Sequence, residues 1–434
     1  MTNQILGVVS PWMILPFALL LLAIAVGPFL HRHWWEKYYP HVSIGLGLLV
    51  CLYYFFFLDY HRIFDTLSEY FSFIVLIGSL FVASGGIYLH TERRATPLIN
   101  TLLLALGALI SNLLGTTGAS MLLIRPFLRI NRSRIRGFHV VFFIFIISNI
   151  GGALTPIGDP PLFLGYLNGV PFLWTLTRVW PIWLIAMLLV LAVFFLMDTW
   201  SYRKWTKGQP HHIAPARIEL HGAHNLIFLM IILAAVLAKS VIRETVLART
   251  PICEILMIAA AVAAHRFASK TALRANEFSW APIKEVAILF AGIFATMVPA
   301  LDWLALNAGR IGIRTPGQYY WASGILSSFL DNAPTYINFL SAAMGLHHLT
   351  LTNPEHIKVL LSQHAPFLQA ISVGAVFFGA NTYIGNGPNF MVKSIAEHHG
   401  VKCPTFLGYI LCYSLPVLVP IFALIWFIFF RSVS

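Results

Sequence analysis

The chain has 434 residues, of which 58% are hydrophobic and only 10% charged, with a mean hydropathy of +0.78. Soluble domains carry about 25% charged residues, so this composition excludes an ordinary soluble enzyme and describes a polytopic protein whose main partner is the lipid bilayer. The net charge of +12 does not call for a nucleic-acid partner, because basic residues concentrate in the cytoplasmic loops of membrane proteins.

Residues 1–10 hold no Lys or Arg, so the first apolar block lacks the charged start of a signal peptide and reads as a span. Apolar blocks near the length of a span fall at 11–30, 41–58, 71–90, 98–124, 138–167, 178–198, 224–242, 252–266, 284–301, 319–344, 367–392 and 407–430. The longest polar loop, 199–223, includes His211-His212 and reads as a connector. Cys51, Cys253, Cys403 and Cys412 are scattered and form no CxxC, which argues against a disulfide framework or zinc site.

Two blocks do not fit a simple crossing. Block 98–124 follows Arg93 and Arg94 and precedes Arg125, Arg129, Arg132, Arg134 and Arg136. Basic residues at both ends place both on the cytoplasmic side, so the segment enters and returns. Its centre, Ser111-Asn112-Leu113-Leu114-Gly115-Thr116-Thr117-Gly118, has the polar, glycine-containing character of a re-entrant tip. Block 319–344 carries Ser327-Ser328-Phe329-Leu330-Asp331-Asn332-Ala333-Pro334-Thr335 in its middle and reads the same way. With both treated as hairpins, ten spans remain, both termini lie outside, and most basic residues fall inside.

Block 138–167 contains Gly151-Gly152-Ala153-Leu154-Thr155-Pro156-Ile157-Gly158-Asp159-Pro160-Pro161, the composition of a turn where a helix is expected. Lipid cannot satisfy backbone groups freed there, so such a break faces protein or a wet cavity. Residues 152–163 align with 379–390, and Gly, Ala, Thr, Ile, Gly, Pro and Phe match at seven of twelve positions. The hairpins recur at a similar offset. The expected fold is therefore an all-α polytopic membrane protein of two inverted repeats, each with five spans plus one re-entrant hairpin, and broken helices meeting at the midplane. The first repeat covers 1–200 (hairpin 98–124, broken helix 138–167) and a cytoplasmic connector covers 201–223. The second repeat covers 224–434 (hairpin 319–344, broken helix 367–392).

The motifs Thr155-Pro156-Ile157-Gly158-Asp159-Pro160-Pro161, Phe329-Leu330-Asp331-Asn332-Ala333-Pro334-Thr335 and Gly379-Ala380-Asn381-Thr382-Tyr383-Ile384-Gly385-Asn386 resemble those of the ion-transporter superfamily. That superfamily includes NhaD-type sodium/proton antiporters, arsenite permeases, citrate permeases and dicarboxylate symporters, and the resemblance runs from about residue 40 onward. It implies an elevator-like secondary transporter in a bacterial inner membrane, commonly a homodimer, whose hairpin tips and broken helices form a moving transport domain. Ile157-Gly158-Asp159 and the hairpin Asp331 resemble the antiporter pattern most closely. Ser111-Asn112-Leu113 and Ser328-Phe329-Leu330 depart from the Ser-Asn-Thr tips of the dicarboxylate branch, whereas arsenite permeases share Gly-Asp-Pro-Pro.

Of the 16 acidic residues, Asp159 and Asp331 are read as the ones in the middle of apolar blocks, where a carboxylate is a functional candidate by default. Oxygen ligands for a sodium ion, or partners for a small-ion substrate, are expected from Asp159, Asp331, Asn112, Ser111, Thr116, Thr117, Thr155, Gly158, Asn332, Asn381, Thr382, Gly385 and Asn386. An aspartate that holds either a proton or sodium would couple the two fluxes. The plainer readings are that Asp159 caps a half-helix starting at Pro160, that Asp331 forms an Asx-type turn, and that the asparagines satisfy freed backbone. The pairs His211-His212, His347-His348 and His398-His399 read as solvated. The leading expectation is a sodium/proton antiporter. The alternatives are an anion carrier of the same superfamily (citrate, another carboxylate or arsenite) and, disfavoured by the lack of HExxH or GxSxG, an intramembrane enzyme.

Overall fold

The computed structural model describes residues 10–91, 95–206, 218–242, 250–310, 312–351 and 353–431. Arg93, Arg94 and the pair His211-His212, on which parts of the sequence reading rest, lie outside them. The chain opens with α1 (Leu15–Leu30), α2 (Arg32–Phe57) and α3 (Tyr60–Gly85). Asp59 starts α3 by accepting from the His61 N–H at 2.9 Å, which satisfies one of the free donors at a helix start.

The next helix, α4 (Pro97–Ile130), is broken at Gly115, whose φ of 76° and ψ of 156° are not helical. The Asn100 and Asn131 side chains exchange two hydrogen bonds, at 2.9 and 2.8 Å, and the Ala95 N–H donates to the Ile130 carbonyl at 3.1 Å. Residues 31 apart on a straight helix would be about 46 Å apart, so the chain has turned back on itself. The expected first hairpin is there, longer than 98–124, and Arg125 and Arg129 belong to its second arm rather than to a loop.

After it come α5 (Gly137–Ile146), a 3-10 turn at Ile150–Leu154 and α6 (Pro160–Leu167), the expected broken helix. α5 is apolar apart from His139 and almost wholly enclosed by protein, as a helix with so little polar surface must be. The long α7 (Trp174–Thr206), α8 (Asn225–Ile242), α9 (Ile252–Phe267), α10 (Lys270–Ala275) and α11 (Ala281–Asn307) follow.

The second set repeats the theme. Helix α12 (Pro316–Ser327) starts in a capping box between Thr315 and Gln318, and α13 (Asn332–Leu346) is capped by Asp331. The Tyr319 and Phe339 rings meet edge to face at 6.1 Å, so these two helices also fold back. Helix α14 (Pro354–Gln363) precedes the second broken helix: α15 (Ala365–Phe378), a 3-10 turn at Gly379–Asn381 and α16 (Gly387–His398). The final helix, α17 (Phe406–Phe429), widens to π geometry at Ile410–Leu418, around Pro416, where the missing N–H breaks the regular ladder.

Among the described residues, seven helices have the length and apolar content to cross a membrane, or eight if Glu355–Gln363 and Ala365–Asn381, bent by 94°, count as one. Ten spans were expected. The difference arises because broken helices divide spans into pieces, and because Pro11–Ile24 and Asn225–Lys239 are shorter apolar helices. One of the seven, α4, is folded back on itself at Gly115.

Three other features differ from expectation. The strands β1 (Tyr88–Thr91) and β2 (Ile218–His221) pair antiparallel, Tyr88 opposite His221 and Thr91 opposite Ile218, tying the connector to the end of α3. Arg134 is buried rather than solvated, ion-paired with Asp198, which also receives His139 Nε2 at 3.0 Å and Asn100 Nδ2 at 2.8 Å. His347 stacks on His364 with ring centroids 3.5 Å apart and is half-buried.

Candidate functional site

The two breaks and the two hairpins meet at Asp159, which is fully buried. Oδ1 accepts from Thr116 Oγ1 at 2.8 Å and from Asn386 Nδ2 at 3.0 Å, and Oδ2 accepts from Asn332 Nδ2 at 2.9 Å. Thr116 follows the break at Gly115, Asn332 starts α13, and Asn386 immediately precedes α16. Each of the four elements therefore supplies one member of the cluster.

Local sequence explains why this carboxylate is free to face inward. Asp159 holds the position before α6, but its side chain makes no cap bond. Pro160 and Pro161 have no N–H to be capped, and the Leu162 N–H is taken by the Asp159 backbone carbonyl at 3.1 Å. Asp331 does the opposite. Its Oδ1 accepts from the Ala333 N–H at 3.0 Å, the Asx-type cap foreseen for it, and it borders a cleft of about 470 Å3, counting its open mouth, that also reaches Thr117, Pro160 and Asn386.

The supporting bonds come in matching sets. Thr155 Oγ1 donates to the Asn112 carbonyl at 2.6 Å, and Thr382 Oγ1 donates to the Ser328 carbonyl at 2.5 Å. The Gly158 and Gly385 N–H groups each donate to their own threonine hydroxyl at 3.1 Å. Asn112 Oδ1 accepts from the Leu154 N–H, and Asn381 Nδ2 donates to Ser328 Oγ. Ser111 donates to the Ile147 carbonyl, as Ser327 does to Ala375. At both breaks the backbone crosses itself at glycine: a Cβ on Gly158 would lie 2.0 Å from the Gly152 carbonyl oxygen, and one on Gly385 2.5 Å from that of Gly379.

Asp159, Thr116, Asn332 and Asn386 are thus in direct contact. Asn112, Ser111, Thr155, Gly158, Asn381, Thr382 and Gly385 hold the breaks in shape, the plainer role considered for the asparagines, and Thr117 lines the neighbouring cleft. Sequence reasoning missed Ser148, whose carbonyl accepts from Asn386 and whose hydroxyl meets Ser120 at 2.8 Å. It also missed the link from Asn149 Nδ2 to Asn389 Oδ1 at 2.7 Å. Small polar residues in apolar blocks carry no signal that separates these from ordinary packing.

Three further buried acids were not anticipated: Asp198, Glu254 and Asp302. They sit near block ends, and each has a cationic partner on another helix or loop: Asp198 with Arg134, Glu254 with Lys239 and Asp302 with Arg62. The partners bonded to the Asp159 carboxylate are all neutral. Among the described residues there is no cluster of three His, Cys, Asp or Glu suited to a metal ion, so any ion held here would rely on hydroxyl, amide and carbonyl oxygens beside the carboxylate.

A family model described as "Putative citrate transport" matches residues 7–430. A search of curated proteins finds no match.

Proposed function

Because the chain belongs to this citrate-transport family of the ion-transporter superfamily, we propose that it is a cation-coupled secondary carrier of citrate or a closely related carboxylate. The observation that carries the coupling is the Asp159 carboxylate, enclosed by both halves and held by neutral donors alone. A buried carboxylate without a cationic partner is costly, and an incoming anion raises that cost. Sodium or a proton on Asp159 removes the repulsion, so cation and anion load together. The start of α16, at Asn386, Gly387 and Pro388, borders the cleft beside Asp331, and helix N-termini favour negative charge. In this reading the carboxylate cargo rests there while Asp159 carries the coupling ion.

The family description favours this anion carrier over the sodium/proton antiporter that the Ile-Gly-Asp resemblance put first. A second reading keeps antiport, because Asp159 and Asp331 both lie at the centre while Asp159 has no cationic side chain bonded to it. In either reading, the matching bonds around Thr155 and Thr382 support two inverted repeats that exchange conformations. The moving part consists of the hairpins and broken helices, in a homodimer of a bacterial inner membrane with both termini outside.

Proteoliposomes test it. Labelled citrate should accumulate when a sodium or proton gradient is imposed, and Asp159→Asn should reduce that accumulation by about tenfold or more. If citrate fails to enter under any gradient while sodium collapses a pH gradient, the antiporter reading replaces this one.

A further inference from the structure

A second charged group faces an open space without a full set of partners. Arg125, on the second arm of α4, is 4% exposed. Among the described residues its Nε and Nη1 have no hydrogen-bond partner, and its Nη2 reaches Glu277 Oε2 only at 3.4 Å. A buried guanidinium normally has its donors satisfied, and leaving them unmet is costly. Nε and Nη1 are both shielded from solvent, while the Arg125 side chain lines a cleft of about 360 Å3, counting its open mouth, bordered also by Phe81, Ser84, Met121, Phe278 and Ser279.

Glu277 is placed unusually. It follows α10 with a φ of 47°, and the next N–H, of Phe278, returns to the Leu273 carbonyl at 3.0 Å. Glycine is the favoured residue at such a helix end, so a glutamate there is held in a conformation it adopts reluctantly. Its side chain is 62% exposed and can leave Arg125 for water.

The cleft shares wall residues with the clefts at the central site. Phe81 borders it, the cleft beside Gly115 and Thr116, and the cleft containing Asp331 and Asn386. On α4, Thr117, Met121 and Arg125 are spaced by four residues and share one face, spanning about 12 Å along the axis. Pro282 of α11 borders both the Arg125 cleft and the Asp331 cleft.

We infer that Arg125 is a receptor for a carboxylate of the cargo at the mouth of the route to Asp159, with the Glu277 carboxylate as a tethered stand-in that the cargo displaces. The inference rests on the carboxylate-carrier reading. Two N–H groups of one guanidinium fit a carboxylate edge-on, and Phe81 is a wall common to this mouth and the clefts at the centre. Because the mouth opens at the base of the first hairpin, Arg125 acts on cargo arriving from that face of the membrane.

The test uses citrate as probe, with equilibrium binding to the purified protein and uptake by proteoliposomes of each orientation. Glu277→Gln, at an exposed position that folding tolerates, should tighten citrate by about two- to fivefold. Arg125→Gln should weaken it by about tenfold or more and raise KM from one face only. Citrate binding that is unchanged in Glu277→Gln, or an Arg125→Gln defect equal from both faces, overturns the receptor and leaves the carrier reading standing. Citrate binding absent from the wild type and from Glu277→Gln overturns both. Binding gained in Glu277→Gln and lost again with Arg125→Gln, without uptake, upholds the receptor and overturns the carrier.

Discussion

Gly115 sits where the first hairpin turns, at a φ and ψ that only glycine adopts readily. A Cβ there would also meet the Ile157 carbonyl oxygen at 3.2 Å. Gly115→Ala should therefore cost about 1–3 kcal/mol, measured as a lower melting temperature, and should slow citrate uptake, because Thr116 is the next residue and bonds Asp159. Asn386→Leu removes one donor to Asp159 while keeping size, and should weaken coupling without abolishing expression; a citrate uptake that keeps its full dependence on the cation gradient would contradict this. Asp159 was legible in the sequence because an acid among glycines and prolines in an apolar block has few other reasons to be there. Asp198, Glu254 and Asp302 were not, because the cations that justify their burial stand on other elements.

Between elements, the main lock is at the hairpin base. Asp198 on α7 accepts from Arg134, from Asn100 at the start of α4 and from His139 on α5. His139 Nδ1 accepts from the Arg136 N–H, which leaves Nε2 protonated and donating. Asp198→Asn strands Arg134 without its counter-charge, and the loss should be about 3–5 kcal/mol, visible as a lowered melting temperature. On the other hairpin, burial and then the adjacent His364 hold the His347 imidazole below the usual histidine range. The unfolded chain therefore takes up the proton first, so the stability from this stack is complete above about pH 6.5 and is lost as pH falls below it. Replacing His364 with Phe keeps a ring against His347 and removes the neighbouring imidazole that helps hold it low. Melting curves between neutral and acidic pH should then fall less steeply than in the wild type. Both fold-backs were readable, one from its polar, glycine-containing tip and the other from Asp331-Asn332 amid apolar neighbours. The β1–β2 ribbon was not, because four residues per strand leave too short a pattern to stand out from a loop.

At the scale of the molecule, neither half contains the site. Asp159 and Thr116 come from the first, Asn332 and Asn386 from the second, and Asn149 bonds Asn389 across the same boundary. A chain opened in the connector between Thr206 and Ile218 should give two fragments that bind citrate only when co-expressed, measured by binding to the co-purified pair. The first arm of α4 turns Leu98, Leu102, Leu106, Leu109 and Leu113 outward, each more than half exposed, a stripe suited to hydrocarbon rather than water. The placement of Asp159 has a further consequence in time. Its last partner, Asn386, is 227 residues later, which at 5–20 residues per second is roughly 10–45 s of synthesis. For that interval the newborn first half carries an acid in an apolar segment with one of its three donors, Thr116, already made. Insertion of the nascent chain should therefore favour a protonated or wet Asp159, and the fold closes over it only when translation has passed α16.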